Sequence, residues 1–162
     1  MIRSLSPEAD FLAVRGLYGR AADYILLESG LEPDDATVAD FFTDAPPGID
    51  LATSLKLGLF AGDRLDAIAD LSFGFPCAND AYIGLLLIAA DQRGRGLGRE
   101  FLDHLLQVAR SRGAWRLFVG VLAANPKGRA FWQREGFVEV LTTPPRKMGT
   151  RTHVVSRMER RL

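Results

Sequence analysis

The sequence predicts a mixed α/β fold, and three observations carry that reading. Apolar residues recur at helical spacing through the N-terminal quarter. Two strand-like runs joined by a tight turn follow, as an antiparallel meander would require. Strand and helix patterns then alternate, β-α-β-α-β, to the C-terminus. Together these describe one mixed sheet with helices packed on it.

The helical part begins at Ser6-Pro7-Glu8, an N-cap with proline at the first helical position. Phe11, Leu12, Val14, Leu17, Tyr18, Ala21, Ile25 and Leu26 follow at helical spacing. Gly16 and Gly19 predict a break that divides the stretch into two pieces. A second helical patch runs from Asp34 to Thr43 and ends at the Pro46-Pro47-Gly48 loop.

Ser54 to Phe60 and Arg64 to Phe73 flank Ala61-Gly62-Asp63, a hairpin turn. Ala81 to Ala89 is a continuous apolar run, the pattern of a strand buried on both faces. Gly96 to Arg112 is an amphipathic helix with Leu97, Phe101, Leu105 and Val108 on one face, stopped by Gly113. Arg116 to Leu122 reads as a strand and Gly128 to Glu135 as a short helix closed by Gly136. Val138 to Leu141 and His153 to Met158 are expected final strands around a Pro144-Pro145 loop.

At 162 residues, positions 1–162 are expected to form a single domain. Lys plus Arg and Asp plus Glu number 20 each, so the net charge is zero. That argues against nucleic-acid binding, which draws most of its affinity from a basic excess. The arginines cluster instead at 93–99, 110–116 and 157–161, suiting a small anionic ligand. The single cysteine, Cys77, fits a reducing compartment. No run of 18 apolar residues occurs and Met1-Ile2-Arg3-Ser4 has no signal-peptide core, so the expectation is a cytoplasmic protein without membrane contact. His104 and His153 lack ligand-spaced neighbours, and no metal site is expected.

The stretch Ile88-Ala89-Ala90-Asp91-Gln92-Arg93-Gly94-Arg95-Gly96-Leu97-Gly98 joins a strand to a helix. Its glycines allow positive φ and close approach of a ligand to the backbone. The helix start adds unpaired N–H groups and partial positive charge, a cradle for pyrophosphate. Arg93, Arg95 and Arg99 can add charge-assisted hydrogen bonds. A dinucleotide fingerprint is excluded, since Arg99 takes the third glycine's place and Arg116 to Leu122 holds no acid. A P-loop is excluded because no Gly-Lys-Ser/Thr follows.

A second motif, Asn125-Pro-Lys-Gly128-Arg-Ala-Phe131-Trp132-Gln-Arg-Glu-Gly136-Phe137, begins 27 residues after Gly98. That spacing leaves room for one helix and one strand. Together the two motifs resemble the Gcn5-related N-acetyltransferase superfamily. Its pyrophosphate loop, Arg/Gln-x-x-Gly-x-Gly/Ala, is matched by Arg93, Gly96 and Gly98. Its second signature, Asn-x-x-Ala-x-x-Phe-Tyr-x-x-x-Gly-Phe, is matched at Asn125, Phe131, Gly136 and Phe137. Gly128 replaces the alanine and Trp132 the tyrosine.

The resemblance implies a mixed, mostly antiparallel sheet of six or seven strands with helices on both faces and splayed fourth and fifth strands. It implies acetyl-CoA as co-substrate and no metal. Leu86, Leu87 and Ile88 would pair with the pantetheine arm, one of their N–H groups polarising the thioester carbonyl. Arg93, Gly94, Arg95, Gly96, Leu97, Gly98 and Arg99 would hold the pyrophosphate. Asn125, Phe131 and Trp132 would line the coenzyme arm. The activity implied is acetyl transfer to a primary amine, with a homodimer in keeping with family habit; the aromatic patch of Phe73, Phe75 and Tyr82 and the zero net charge favour a small-molecule acceptor.

The proton carriers stay open. Many members use the motif tyrosine as acid and a fifth-strand glutamate as base, and here Trp132 and Gly120 hold those positions. Tyr82, Asp70, Tyr24 and Glu28 are the candidate substitutes. The missing pair also leaves room for a non-catalytic acyl-CoA-binding module, and a protein or peptide amine is the alternative acceptor.

Overall fold

The computed structural model describes residues 1–162. Strands β1 (Ile2–Ser4), β2 (Leu55–Ala61), β3 (Arg64–Phe73), β4 (Asp80–Ile88), β5 (Arg116–Leu122) and β6 (Val138–Thr142) belong to the main sheet, closed by a C-terminal strand. Helices α1 (Pro7–Arg20), α2 (Ala22–Ser29) and α3 (Asp35–Thr43) precede β2. Helices α4 (Leu97–Ser111) and α5 (Pro126–Arg134) flank β5. After β6 come β7 (Arg146–Met148), β8 (Arg151–His153) and β9 (Val155–Arg161). The main sheet has seven strands in the order β1-β2-β3-β4-β5-β9-β6, and β7 and β8 form a separate hairpin. Only β4 and β5 run parallel, so the sheet is mixed and mostly antiparallel.

Alternation along the strands divides the core in two. Leu57, Leu59, Ala69, Leu71 and Ile83 face α4 and α5, burying Phe101, Leu102, Leu105, Trp132 and Phe137. Phe60, Ile68 and Leu87 face α1 to α3, burying Val14, Leu17, Ile25 and Val38. The helices therefore cover both faces of the sheet, which one stripe per helix makes necessary.

Local chemistry sets most element ends. The Ser6 hydroxyl accepts from Ala9 N–H at 3.3 Å to start α1. Asp34 and Thr37 form a reciprocal capping box at α3. Gly113, at φ +77°, follows α4 in the left-handed conformation expected of a C′ glycine.

Three expectations from sequence need correction. Helix α1 runs through Gly16 and Gly19 and stops at Ala21. Both glycines lie on its open side, and each costs up to about 1 kcal/mol of helix propensity. Burial of Val14, Leu17 and Tyr18 on the opposite side outweighs that cost. Strand β1 and the β7–β8 hairpin were not signalled, because three-residue strands are too short to show a period. Finally, β4 is buried on both faces only at its start; Gly84 is exposed and Leu85, Leu86 and Ile88 are half-buried. No helix is long and apolar enough to cross a membrane.

Candidate active site

The exposure of β4 has a topological cause. Asp80, Ala81, Tyr82 and Ile83 pair with Arg116, Leu117, Phe118 and Val119 of β5, and pairing ends there. On its other edge β4 stays paired with β3 as far as Ile88, with a bulge at Gly84. Beyond Ile83 the parallel strands therefore separate. Ala89 N–H donates to Asp66 C=O at 3.0 Å, toward β3. Backbone direction alternates along a strand, so the N–H groups of Leu86 and Ile88 point into the gap, while Leu87 points toward β3. The Ile88 carbonyl, on the gap side, accepts from Arg93 Nε at 3.0 Å.

The gap leads to the glycine loop. Gly94 (φ +75°) and Gly96 (φ +84°) hold conformations that side chains resist, and a Cβ at either would meet nothing. Side chains cap α1, α3 and α5, whereas α4 starts at Gly96 with none. The N–H groups of Leu97, Gly98 and Arg99 have no acceptor in the chain. Three converging donors at the start of a 15-residue helix form an anion site. Arg95 and Arg99 flank it, exposed and outside every ion pair.

The leg of the loop is anchored from α1 and α2. Arg20 binds Asp91 at 3.0 Å and the buried Asp66 at 2.9 Å, and donates to Leu65 C=O. Arg20, with Gln92, holds the Asp91 carboxyl down at about 2; burial pushes the Asp66 carboxyl up, but Arg64 and Arg20 together keep it below its usual range. Arg93 grips Asp23 of α2 through both terminal nitrogens, at 2.5 and 3.0 Å. The first arginine of the predicted pyrophosphate motif thus ties α2 to the end of β4.

The second motif arrives at the same place. The Asn125 side chain accepts from Gly128 N–H at 2.9 Å and caps α5. A Cβ at Gly128 would lie 2.4 Å from the Asn125 amide nitrogen, which accounts for glycine there. Phe131 meets the start of α4: a Cβ at Gly98 would lie 3.3 Å from the Phe131 ring and 3.1 Å from Ile88. Gly98 thus lets helix, strand and ring converge. Trp132 turns inward between Phe131 and Phe137, edge to face with each at 5.0 Å, and is 7% exposed. It serves the core.

On the opposite face lie the four candidate proton carriers. The Tyr82 hydroxyl reaches over Gly120. Burial raises its pKa, while Arg157 and Arg146 pull it down. Asp70 pairs with Lys56 at 3.0 Å, both nearly buried, and Lys56 also donates to Asp44 C=O at 2.6 Å. Asp70 Oδ2 lies 2.6 Å from where a Cβ at Gly84 would sit. Asp70 Oδ1 is the one buried side-chain polar atom without a hydrogen-bond partner. Burial raises the Asp70 carboxyl and Lys56 opposes the shift. Glu28 of α2 is raised by burial against the pull of His153 and Arg146. Tyr24, one turn earlier, is raised by burial and by Glu28. His153 Nε2 bonds Glu28 C=O at 2.7 Å, and Thr150 N–H donates to Ser29 C=O at 2.8 Å, so the β7–β8 hairpin is strapped to α2.

Sequence reasoning missed Arg20, Lys56 and Arg146, and marked Arg157 only as part of the 157–161 cluster suited to an anionic ligand. Lys56 sits on a strand otherwise read as apolar, a signal in hindsight; the arginines become neighbours of the site only through the tertiary fold. No cluster of three or more potential metal ligands occurs.

Residues 33–137 match the acetyltransferase (GNAT) family. The mycothiol acetyltransferase of Beutenbergia cavernae is 34% identical over 73 residues, 45% of this chain and 25% of that protein. The [ribosomal protein bS18]-alanine N-acetyltransferase of Salmonella typhimurium is 33% identical over 85 residues, 52% of this chain and 55% of that one. The matches thus span about a quarter and about half of those relatives' lengths. The crystal structure of an acetyltransferase from Thermus thermophilus superposes with a TM-score of 0.80 at 29% identity, covering 100% of this chain and 96% of that one. With its splayed β4 and β5, its uncapped glycine loop and this match over most of its length, the chain belongs to the acetyltransferase (GNAT) family.

Proposed function

We propose that the chain transfers an acetyl group from acetyl-CoA to a primary amine of a small-molecule acceptor, by direct attack of the amine on the thioester. One observation carries the reading. The free N–H groups of Leu86 and Ile88 line a gap that opens at one end onto the uncapped start of α4 and at the other onto Tyr82.

The residues present suit such a co-substrate. The N–H groups of Leu97, Gly98 and Arg99, with Arg95 and Arg99, would hold a pyrophosphate. Leu86 and Ile88 would bind the pantetheine amides as a neighbouring strand does, and Phe131 would close the wall. A gap-facing N–H of β4 would donate to the thioester oxygen as negative charge develops there. Losing a donor of that kind typically costs about 10²- to 10³-fold in rate.

Asp70 takes a proton from the incoming ammonium, leaving the neutral amine that attacks. The new C–N bond forms as the C–S bond breaks; Tyr82 gives a proton to the departing thiolate and recovers one from the nitrogen, which sheds its second proton to become the amide. The partnerless Oδ1 of Asp70, whose Oδ2 lies under Gly84, supports the first role, and the phenol over Gly120 the second. Glu28 stands as the rival base, since burial raises it too. Calorimetry with acetyl-CoA tests binding, and free-thiol release with a panel of primary amines tests transfer. Absence of binding at near-millimolar acetyl-CoA overturns the reading, and binding without thiol release from any amine reduces it to a coenzyme-binding module.

A further inference from the structure

Beside Tyr82 the acceptor face holds a pocket of about 330 Å³ lined by Thr143, Arg146, Val155, Arg157 and two prolines. Its two cations come from different elements, Arg157 from β9 and Arg146 from the start of β7. Neither has a carboxylate within 4.0 Å, although ten ion pairs occur elsewhere in the chain. Arg157 is half-buried, with its guanidinium 5.2 Å from the Phe75 ring centre and 5.9 Å from that of Tyr82. Cation–π attraction to the two rings holds the guanidinium at the pocket. A second pocket, of about 360 Å³ between α1 and α3, offers no comparable pair: its one cation, Arg15, already binds Asp35 at 2.7 Å.

Charge is divided across the cleft. The acids Glu28, Asp44 and Asp70 stand toward α2 and α3, with Asp70 below Gly84, while Arg146 and Arg157 stand on the β7–β9 side. A neutral apolar amine would leave Arg157 without a counter-charge and Arg146 with only the more distant Glu28. A polybasic protein tail would be repelled by them. Resting on the acetyl-transfer reading above, we propose that the acceptor carries an anionic group beside its amine, received by Arg157 and Arg146 while the amine faces Asp70. A carboxylate or a phosphate monoester satisfies the same fork geometry.

The test compares matched acceptors with the intact protein and saturating acetyl-CoA: an amino acid series, the corresponding primary amides, the corresponding decarboxylated amines, and phosphoethanolamine. The expected result is at least tenfold higher kcat/KM for the anionic member of a matched set. Arg157→Gln and Arg146→Gln should each raise KM for that member tenfold or more. They should change KM for the uncharged amine less than threefold and leave acetyl-CoA affinity unchanged. Preference for the carboxylate or for the phosphate identifies which anion is native. Equal use of charged and uncharged members, or an equal rise in KM for both in the variants, overturns the inference while acetyl transfer stands. So does preferred transfer to a peptide α-amine that is unaffected by either substitution. Failure to bind acetyl-CoA would overturn the underlying reading instead.

Discussion

The phenolic oxygen of Tyr82 on β4 lies 2.8 Å from the point where a side chain at Gly120 on β5 would begin. The two residues stand where the parallel strands cease to pair, Tyr82 within the last paired segment and Gly120 just past it. Glycine at 120 leaves room for the tyrosine, so a hydroxyl from the neighbouring strand occupies the space a side chain there would take. Gly120→Ala should displace the phenol, lowering kcat by tenfold or more while costing about 1–3 kcal/mol as an overpacked site. Tyr82→Phe should lower kcat by about 10²- to 10⁴-fold with acetyl-CoA affinity unchanged, the range for loss of a general acid. Steady-state kinetics and thermal melts separate the two effects; an unchanged kcat in Tyr82→Phe removes Tyr82 from the chemistry.

The pH–rate profile should identify the base. Burial holds Asp70 above the usual aspartate range, so kcat/KM should rise as pH climbs through that raised value. Lys56 pulls the group down, so Lys56→Met should move this limb to higher pH. Asp70→Asn should abolish the limb. If Lys56→Met leaves it in place and Glu28→Gln removes it, Glu28 is the base.

Arg20 ties α1 to β3 and to the leg of the glycine loop. Arg20→Ala leaves buried Asp66 with Arg64 alone and Asp91 with no arginine. The expected cost at pH 7 is about 1–3 kcal/mol, below the usual figure for breaking a buried pair because Arg64 remains and Arg20 is partly exposed. Asp66 and Asp91 are both held down in the fold, so their contribution is complete above the ordinary aspartate value. It fades as pH falls through the lowered ones, near 2 for Asp91. The melting difference between wild type and variant should therefore narrow in strong acid, and acetyl-CoA binding should weaken in the variant at neutral pH.

Gly96 begins α4 at φ +84°. Gly96→Ala should cost about 1–2 kcal/mol of backbone strain and weaken acetyl-CoA binding, because the loop must shift to relieve it. Calorimetry beside a melting curve checks both halves of the expectation.

Trp132 is enclosed by Phe131 and Phe137. Trp132→Ala should destabilise by about 3–5 kcal/mol, as large aromatic truncations in a core do. Trp132→Phe should retain most of the stability and most of kcat, since an indole N–H is not an acid near neutral pH; a large loss of kcat in this variant would reverse that assignment.

The sequence by itself determined the order of the longer elements, though not the short β1, β7 and β8, together with the glycine loop and the Asn125–Phe137 segment, because caps, glycines and apolar periods act over a few residues. Helix α4 and strand β5 could be read from it within a residue at each end. It also supplied the four candidate proton carriers, without their roles. The tertiary structure alone decided where β4 and β5 part, that Arg93 is committed to Asp23 and Ile88, and that Trp132 belongs to the core. It alone placed Tyr82 over Gly120, Asp70 against Lys56, and Arg146 beside Arg157. The physical reason is register. A bulge at Gly84 and a pairing that stops at Ile83–Val119 set which side chains meet across the sheet. Neither leaves a period in the sequence.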